Sequence, residues 1–229
     1  MDVSPLSIEL IRQEPKSDDC LRCCALMVFK YFGDKITKDQ LWRKLHVYKK
    51  HSGLQGIYLS DLGKLSLKNG YKVTYFLYDW HSWDKETVSK SAKNNKSLFK
   101  TLGKLKSQKV SWVQKRLIQK EFNFAKSGGD FKFVIPSSNI IDKFLLNKIP
   151  VIVQVWAQDL YQDPKEDYRQ AIIVTGKKDD KYLVKDPYLA LEAISENELI
   201  HASIKNGGRV MVIEPSEKNV KLKQERLNF

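Results

Sequence analysis

The chain has 229 residues, of which 42% are hydrophobic, and this is enough for one larger domain with a substantial core. No apolar run approaches the roughly 20 residues of a membrane-spanning helix, and no secretory signal opens the chain, so we expect a cytoplasmic protein without a membrane span. The three cysteines have neither disulfide nor metal-ligand spacing, which predicts free thiols, no metal and no cofactor.

Much of the positive charge lies in residues 82–126. This segment has twelve Lys or Arg residues against three Asp or Glu residues, a net charge of +9 out of +13 for the whole chain. The basic residues are mainly lysines, which lack the planar fork with which arginine binds phosphate or guanine. We therefore interpret the segment as a solvated basic surface and do not expect nucleic acid as the partner; steep salt dependence of binding would indicate the opposite.

Helices are predicted mainly in the first half of the chain and strands in the second. Helical spacing of apolar residues, or a capping signal, predicts helices over 20–32, 37–46, 60–68, within 98–118, over 138–145 and over 195–204. Runs of β-branched and aromatic residues predict strands over 7–12, 71–78, 150–156, 170–176, 181–185 and 209–213. This order predicts an α+β fold, in which a helical lobe packs on a mostly antiparallel sheet.

Cys20 stands at the predicted start of the first helix, directly after two aspartates, which are N-cap residue types. A helix N-terminus stabilises a thiolate, which is the nucleophilic form of cysteine. Gln13, seven residues earlier, can present its amide N–H to an oxyanion that forms beside the sulfur. The alternative is a core helix whose three cysteines are simply buried.

Three stretches together resemble the papain-like cysteine peptidases, and specifically the double-glycine leader peptidases (family C39) and their stand-alone relatives. They are Gln13 to Gly33, Lys148 to Val153, and the pair Gln170–Gly176 and Tyr182–Pro187. The resemblance covers about residues 10–213. It implies a papain-like domain over 1–215, a basic helical insertion at 82–130 and a charged tail at 216–229.

The resemblance also implies roles for particular residues. Cys20 would be the nucleophile, Gln13 the oxyanion donor and Asp186 the carboxylate that orients the base; the substrate would be a peptide or protein. The base itself should be a histidine, but its position holds Gln170. Glutamine cannot exchange a proton near neutral pH, and general base catalysis contributes roughly 10²–10⁴-fold.

Two hypotheses follow: a cysteine peptidase with weak or no turnover, or a peptide-binding module that does not cleave. The sequence leaves open whether Gln170 is a natural loss or an introduced substitution, and it leaves the oligomeric state open. His81 and His201 are the alternative candidates for the base, although we interpret each histidine first as a surface or core-edge residue. Gln154, in a central predicted strand, is either a satisfied core amide or a residue that lines the cleft, and the first reading is favoured.

Overall fold

The computed structural model describes residues 2–48, 56–78, 100–101, 103–104 and 111–216. Its helices are α1 (Cys20–Tyr31), α2 (Lys38–Lys44), α3 (Leu59–Lys68), α4 (Trp112–Lys126), α5 (Ser138–Leu146), α6 (Ala157–Tyr161) and α7 (Glu196–Lys205). Its strands are β1 (Tyr71–Leu77), β2 (Asp130–Phe133), β3 (Val151–Trp156), β4 (Arg169–Lys178), β5 (Lys181–Lys185), β6 (Ala193–Ser195) and β7 (Val210–Pro215). No helix in these ranges is both long enough and apolar enough to cross a membrane.

The strands form one seven-stranded sheet in the order β2-β1-β7-β3-β4-β5-β6. Among the described strands, β1 and β2 pair in parallel and every other neighbouring pair is antiparallel. β3 and β4 lie inside the sheet and are buried along nearly their whole length, as their apolar sequences require. The predicted α+β fold with a mostly antiparallel sheet is therefore confirmed.

Each face of the sheet carries its own core. α1 to α4 cover one face, where Ile152, Ala171 and Ile173 meet the buried side of α1. α5 to α7 cover the other face, where Val153 and Ile172 take part in the second core. Successive residues of β3 and β4 thus point to opposite cores, because side chains alternate across a strand. This alternation decides which residues of β3 and β4 lie on the same face as Cys20.

The helix ends follow local sequence signals. Thr37 with Gln40 and Ser195 with Glu198 form the two predicted capping boxes, in which each hydroxyl accepts from the backbone three residues on. The predicted helix over 60–68 is α3, which begins one residue earlier, at Leu59. These elements are confirmed because their signals lie within a few neighbouring residues.

Other local predictions were wrong or incomplete. The predicted strand at 7–12 is absent; the N-terminal segment joins the sheet earlier, where Val3 bridges Lys177 and the Leu6 N–H donates to Thr175 at 2.8 Å. β2, β6 and α6 were missed, because segments of three to five residues carry almost no periodicity.

Part of the basic segment belongs to the folded core. α4 packs on α3, and a Cβ atom added at Gly63 would lie 2.5 Å from the ring of Phe124. A glycine is needed there because the two helices approach so closely. Most of residues 82–110 and the tail from residue 217 lie outside the described residues. The proposed insertion at 82–130 and the tail therefore stay predictions.

Candidate active site

Cys20 is the first residue of α1, as predicted, but the residue before it does not cap the helix in the expected way. Asp19 occupies the N-cap position and makes no side-chain capping hydrogen bond. Its carboxylate instead forms an ion pair with Arg22 at 2.8 Å and accepts from the Trp42 indole at 3.3 Å. The expectation that Asp19 caps α1 was thus wrong, because its carboxylate oxygens bind the side chains of Arg22 and Trp42 instead of the backbone of the first turn.

Cys20 is a partly exposed residue, whereas Cys23 and Cys24 are fully buried. Desolvation raises the pKa of Cys20 to about 11, although the backbone N–H of Ala171 partly opposes this shift. Desolvation likewise raises the pKa of Cys23 to about 12. Cys24 donates from its Sγ to the Ala171 carbonyl at 3.3 Å. Cys20 is therefore the accessible thiol of the three, but it is a protonated thiol at neutral pH.

Gln170 and Asp186 meet at one end of the β4–β5 hairpin. The register of the hairpin pairs Ile173 of β4 with Lys185 of β5. Gln170 lies shortly before Ile173 and Asp186 directly after Lys185, so both are at the same end of the hairpin. The Gln170 Nε2 donates to Asp186 Oδ1 at 2.8 Å, and both side chains are at most 1% exposed. The Gln170 amide therefore supplies one of the hydrogen-bond donors of this buried carboxylate.

Asp186 accepts three further hydrogen bonds. The Tyr161 hydroxyl donates to Oδ2 at 3.0 Å, and the backbone N–H groups of Tyr188 and Leu189 donate to Oδ1 and Oδ2, each at 3.0 Å. With the bond from Gln170, each carboxylate oxygen accepts two donors, which satisfies a buried carboxylate. Desolvation, followed by the charge of Asp186, raises the pKa of Tyr161 well above its usual value.

Gln13 lies against the same hairpin end. Its backbone N–H donates to the Pro187 carbonyl at 3.0 Å, which fixes the loop before α1 beside Asp186. Its side-chain Nε2 donates to the Ser17 carbonyl at 3.2 Å, while its Oε1 is buried and accepts no hydrogen bond from the described residues. One Nε2 proton is thus engaged within the loop, and no hydrogen bond to the described residues is formed by the other.

Of the four residues singled out in the sequence, Gln170 and Asp186 are in direct contact, and Cys20 and Gln13 are linked to them through the backbones of neighbouring residues. Cys20 interacts with the backbone of Ala171, the neighbour of Gln170, and the negative charge of Asp186 also contributes to raising the pKa of Cys20. Gln170 donates a hydrogen bond to Asp186, and the backbone N–H of Gln13 donates to Pro187, the residue after Asp186. Within the described residues, no group of three or more His, Cys, Asp and Glu side chains is placed to hold a metal ion.

The described histidines lie elsewhere. His46 is exposed and packs edge-on against the Tyr48 ring, with centroids 4.7 Å apart. The His201 side chain is 65% exposed on α7, with its Nε2 4.0 Å from Asp159. Neither histidine contacts Asp186, all of whose acceptor positions are already occupied. His51 and His81 lie outside the described residues, so a role for His81 stays a prediction.

Sequence reasoning missed the tyrosines of this site. Tyr161 lies on α6, within a stretch predicted to be a polar loop, and no periodic signal marks it. Tyr188 packs against both Tyr161 and Tyr168, with ring centroids 6.1 and 6.2 Å apart. Its position two residues after Asp186 was the one available hint, since residues just after an aspartate commonly donate their N–H groups to it.

No protein-family model matches the chain, and no curated protein matches it in sequence. Solved structures do match it. A putative C39-like peptidase from Bacillus anthracis aligns with a TM-score of 0.52 and 12% identity, over 94% of this chain and 98% of that chain. A double-glycine-motif protease from an AMS/PCAT transporter, in complex with the leader peptide, aligns with a TM-score of 0.50 and 12% identity over the same shares. The peptidase domain of Streptococcus ComA, a bifunctional ABC transporter, aligns with a TM-score of 0.48 and 13% identity, over 91% and 99%.

These identities are low, but the alignments span most of this chain and almost all of each solved chain. The first two comparisons therefore establish a shared fold, although not a shared activity. They agree with the resemblance that the sequence carries at Cys20 and along the β4–β5 hairpin. The chain has the papain-like fold of the C39 peptidase domains.

Proposed function

We propose that this chain binds a peptide segment in the cleft at Cys20 and hydrolyses it slowly or not at all. The observation that carries the proposal is the hydrogen bond from Gln170 to the buried Asp186, and we assign the Gln170 amide to the place of the base. Three further groups suit a thiol-dependent site: a partly exposed cysteine at a helix N-terminus, the amide of Gln13 and a buried carboxylate.

The amide of Gln170 preserves the architecture of the site while removing its proton chemistry. Its Nε2 supplies the donor that Asp186 needs, so the carboxylate remains satisfied without an imidazole. It cannot accept the proton of the thiol, and it brings no positive charge that would stabilise a thiolate. The high pKa of Cys20 is the expected result.

A peptide is the ligand class that the fold favours. One of the proteases with this fold was crystallised with a leader peptide. Hydrogen-bond donors near Cys20, at Gln13 and at the start of α1, suit a peptide carbonyl whether or not its bond is cleaved. Binding can thus persist after the loss of the base, because these donors do not depend on proton transfer.

The test compares binding and cleavage in three proteins: the unaltered chain, Gln170→His and Cys20→Ala. The probe is a set of peptides in which a double-glycine leader is followed by a short cargo sequence. We expect the unaltered chain and Cys20→Ala to hold peptides intact with similar affinity. We expect Gln170→His to cleave bound peptides about 10²–10⁴-fold faster than the unaltered chain.

Two results would contradict the proposal. Rapid cleavage by the unaltered chain, lost in Cys20→Ala, would mean that another group acts as the base. Absence of binding in all three proteins, together with absence of cleavage in Gln170→His, would mean that the cleft does not receive peptides of this kind.

A further inference from the structure

Gln154 lies on β3, on the same face of the sheet as the cysteine helix. It is two residues from Ile152, which packs into the core beneath α1, and side chains two apart on a strand share a face. It is also directly opposite Ala171 in the register of β3 and β4. Residues opposite each other in an antiparallel pair have Cβ atoms about 4.5–5.5 Å apart on one face. Gln154 and Ala171 are therefore side-chain neighbours.

Ala171 in turn is the backbone partner of two cysteines. Its carbonyl accepts from the Cys24 sulfur at 3.3 Å, and its N–H lowers the pKa of Cys20. Gln154 is therefore the cross-strand neighbour of the residue whose backbone contacts Cys20 and Cys24. Trp156 is two residues further along β3, on the same face of the sheet, and it is partly exposed.

The amide of Gln154 has no hydrogen-bond partner among the described residues, although the residue is only 7% exposed. The side-chain oxygen and nitrogen of Gln154 are nevertheless not completely buried, so part of the residue's remaining exposure is at its amide group. Buried amides in central strands are normally hydrogen-bonded, and the neighbouring Val153 and Val155 are apolar. An unpartnered amide that reaches an opening is typical of a binding residue and not of a core residue.

We propose that Gln154 binds a main-chain amide group of the peptide that lies beside Cys20. A primary amide offers one acceptor and two donors, and a peptide group offers the complementary pair of one N–H and one carbonyl. The inference rests on the proposed peptide binding at Cys20 and adds to it a residue that holds the main chain of the ligand.

The test measures alkylation of Cys20 at pH 9 by two reagents. Iodoacetyl-glycyl-glycinamide carries two peptide-like groups behind its iodoacetyl electrophile, and iodoacetamide carries the same electrophile with neither group. Gln154→Met keeps the length of the side chain and removes its hydrogen bonds. We expect this variant to react about tenfold more slowly with the peptide reagent, the effect of one or two hydrogen bonds, and to react unchanged with the small reagent.

Stability provides the second readout. Since the side chain of Gln154 has no hydrogen bond within the described part of the chain, Gln154→Met should unfold at an equal or higher denaturant concentration than the unaltered chain. The matched control is Gln119→Met on α4, whose amide donates to Asn123 at 2.7 Å, and which should react unchanged with both reagents.

Several outcomes would overturn the role of Gln154: equal rates of the unaltered chain and Gln154→Met with the peptide reagent, equal slowing with both reagents, or a marked loss of stability. Failure of the proposed function would look different. In that case the unaltered chain itself would show no saturation with the peptide reagent and no preference for it over the small one.

Discussion

Replacing Gln170 with histidine should convert Cys20 from an inert thiol into a reactive one, and the size of the change follows from its pKa. With a pKa of about 11, Cys20 is ionised to about one part in 10⁴ at pH 7. An ordinary cysteine is about 3% ionised at that pH, roughly 300-fold more. The higher-pKa thiolate is about tenfold more nucleophilic, which leaves Cys20 about 30-fold slower than a free cysteine toward iodoacetamide.

An imidazolium beside the sulfur lowers a thiol pKa to between about 3.5 and 7.5. For Gln170→His this raises the thiolate fraction at pH 7 by about 10³–10⁴, and the accompanying loss of nucleophilicity reduces the gain in rate to between about 2-fold and 10²-fold, with the largest gain for a pKa near 7.5. The assay is the rate of alkylation between pH 6 and pH 10, with the modified residue located by peptide mass spectrometry. Cys23 and Cys24 are fully buried and serve as internal controls in the folded protein.

The pH profile is the decisive measurement. Because the pKa is raised, the rate for the unaltered chain should climb about tenfold per pH unit without a plateau below pH 10. The rate for Gln170→His should already be near its plateau at pH 7, and a further Asp186→Asn substitution should lower it again. A plateau below pH 9 in the unaltered chain, or identical profiles for the two proteins, would refute the assignment of Gln170 to the base position.

Three further predictions concern stability. Tyr161→Phe removes one of the four hydrogen bonds of Asp186 and should lower the free energy of unfolding by about 1–3 kcal/mol in urea titrations; no change would mean that water replaces the hydroxyl. Phe29→Ala leaves a cavity in the core under α1 and should cost about 3–5 kcal/mol, and a cost below 1 kcal/mol would place the ring outside that core. The hydrogen bond from Lys177 lowers the pKa of Glu196, so this contact stabilises fully above pH 4.5 and is lost as the pH falls through the lower folded value. Lys177→Met should therefore flatten the dependence of stability on acid pH, and an unchanged slope would contradict the contact.

Local chemistry explains why much of the secondary structure could be predicted from the sequence. Both capping boxes and the start of α1 at Cys20 depend on residues within one helical turn, and these predictions are confirmed. The buried strands β3 and β4 were recognisable because continuous apolar runs are typical of strands covered on both faces. The prediction of a strand at 7–12 was wrong: the N-terminal segment pairs with β4 at Val3 instead.

The site was partly predictable for a different reason. Cys20, Gln13 and Asp186 could be singled out because their residue types and spacing resemble a family, and their roles remain proposals. The sequence also singled out Gln170, since the hairpin around it was recognisable, and its assignment to the base position likewise remains a proposal.

What the amino-acid order determined by itself is therefore the set of helices with clear caps, the buried strands and the residue types offered to the site. Only the tertiary structure decided which partners those residues have. It directed Asp19 to Arg22 and Trp42 and brought Tyr161 to Asp186 across 25 residues of chain. It also left the amide of Gln154, beside Ala171, without a hydrogen bond to any described residue. The physical reason is that hydrogen-bond satisfaction and burial depend on neighbours in space, which no local periodicity encodes.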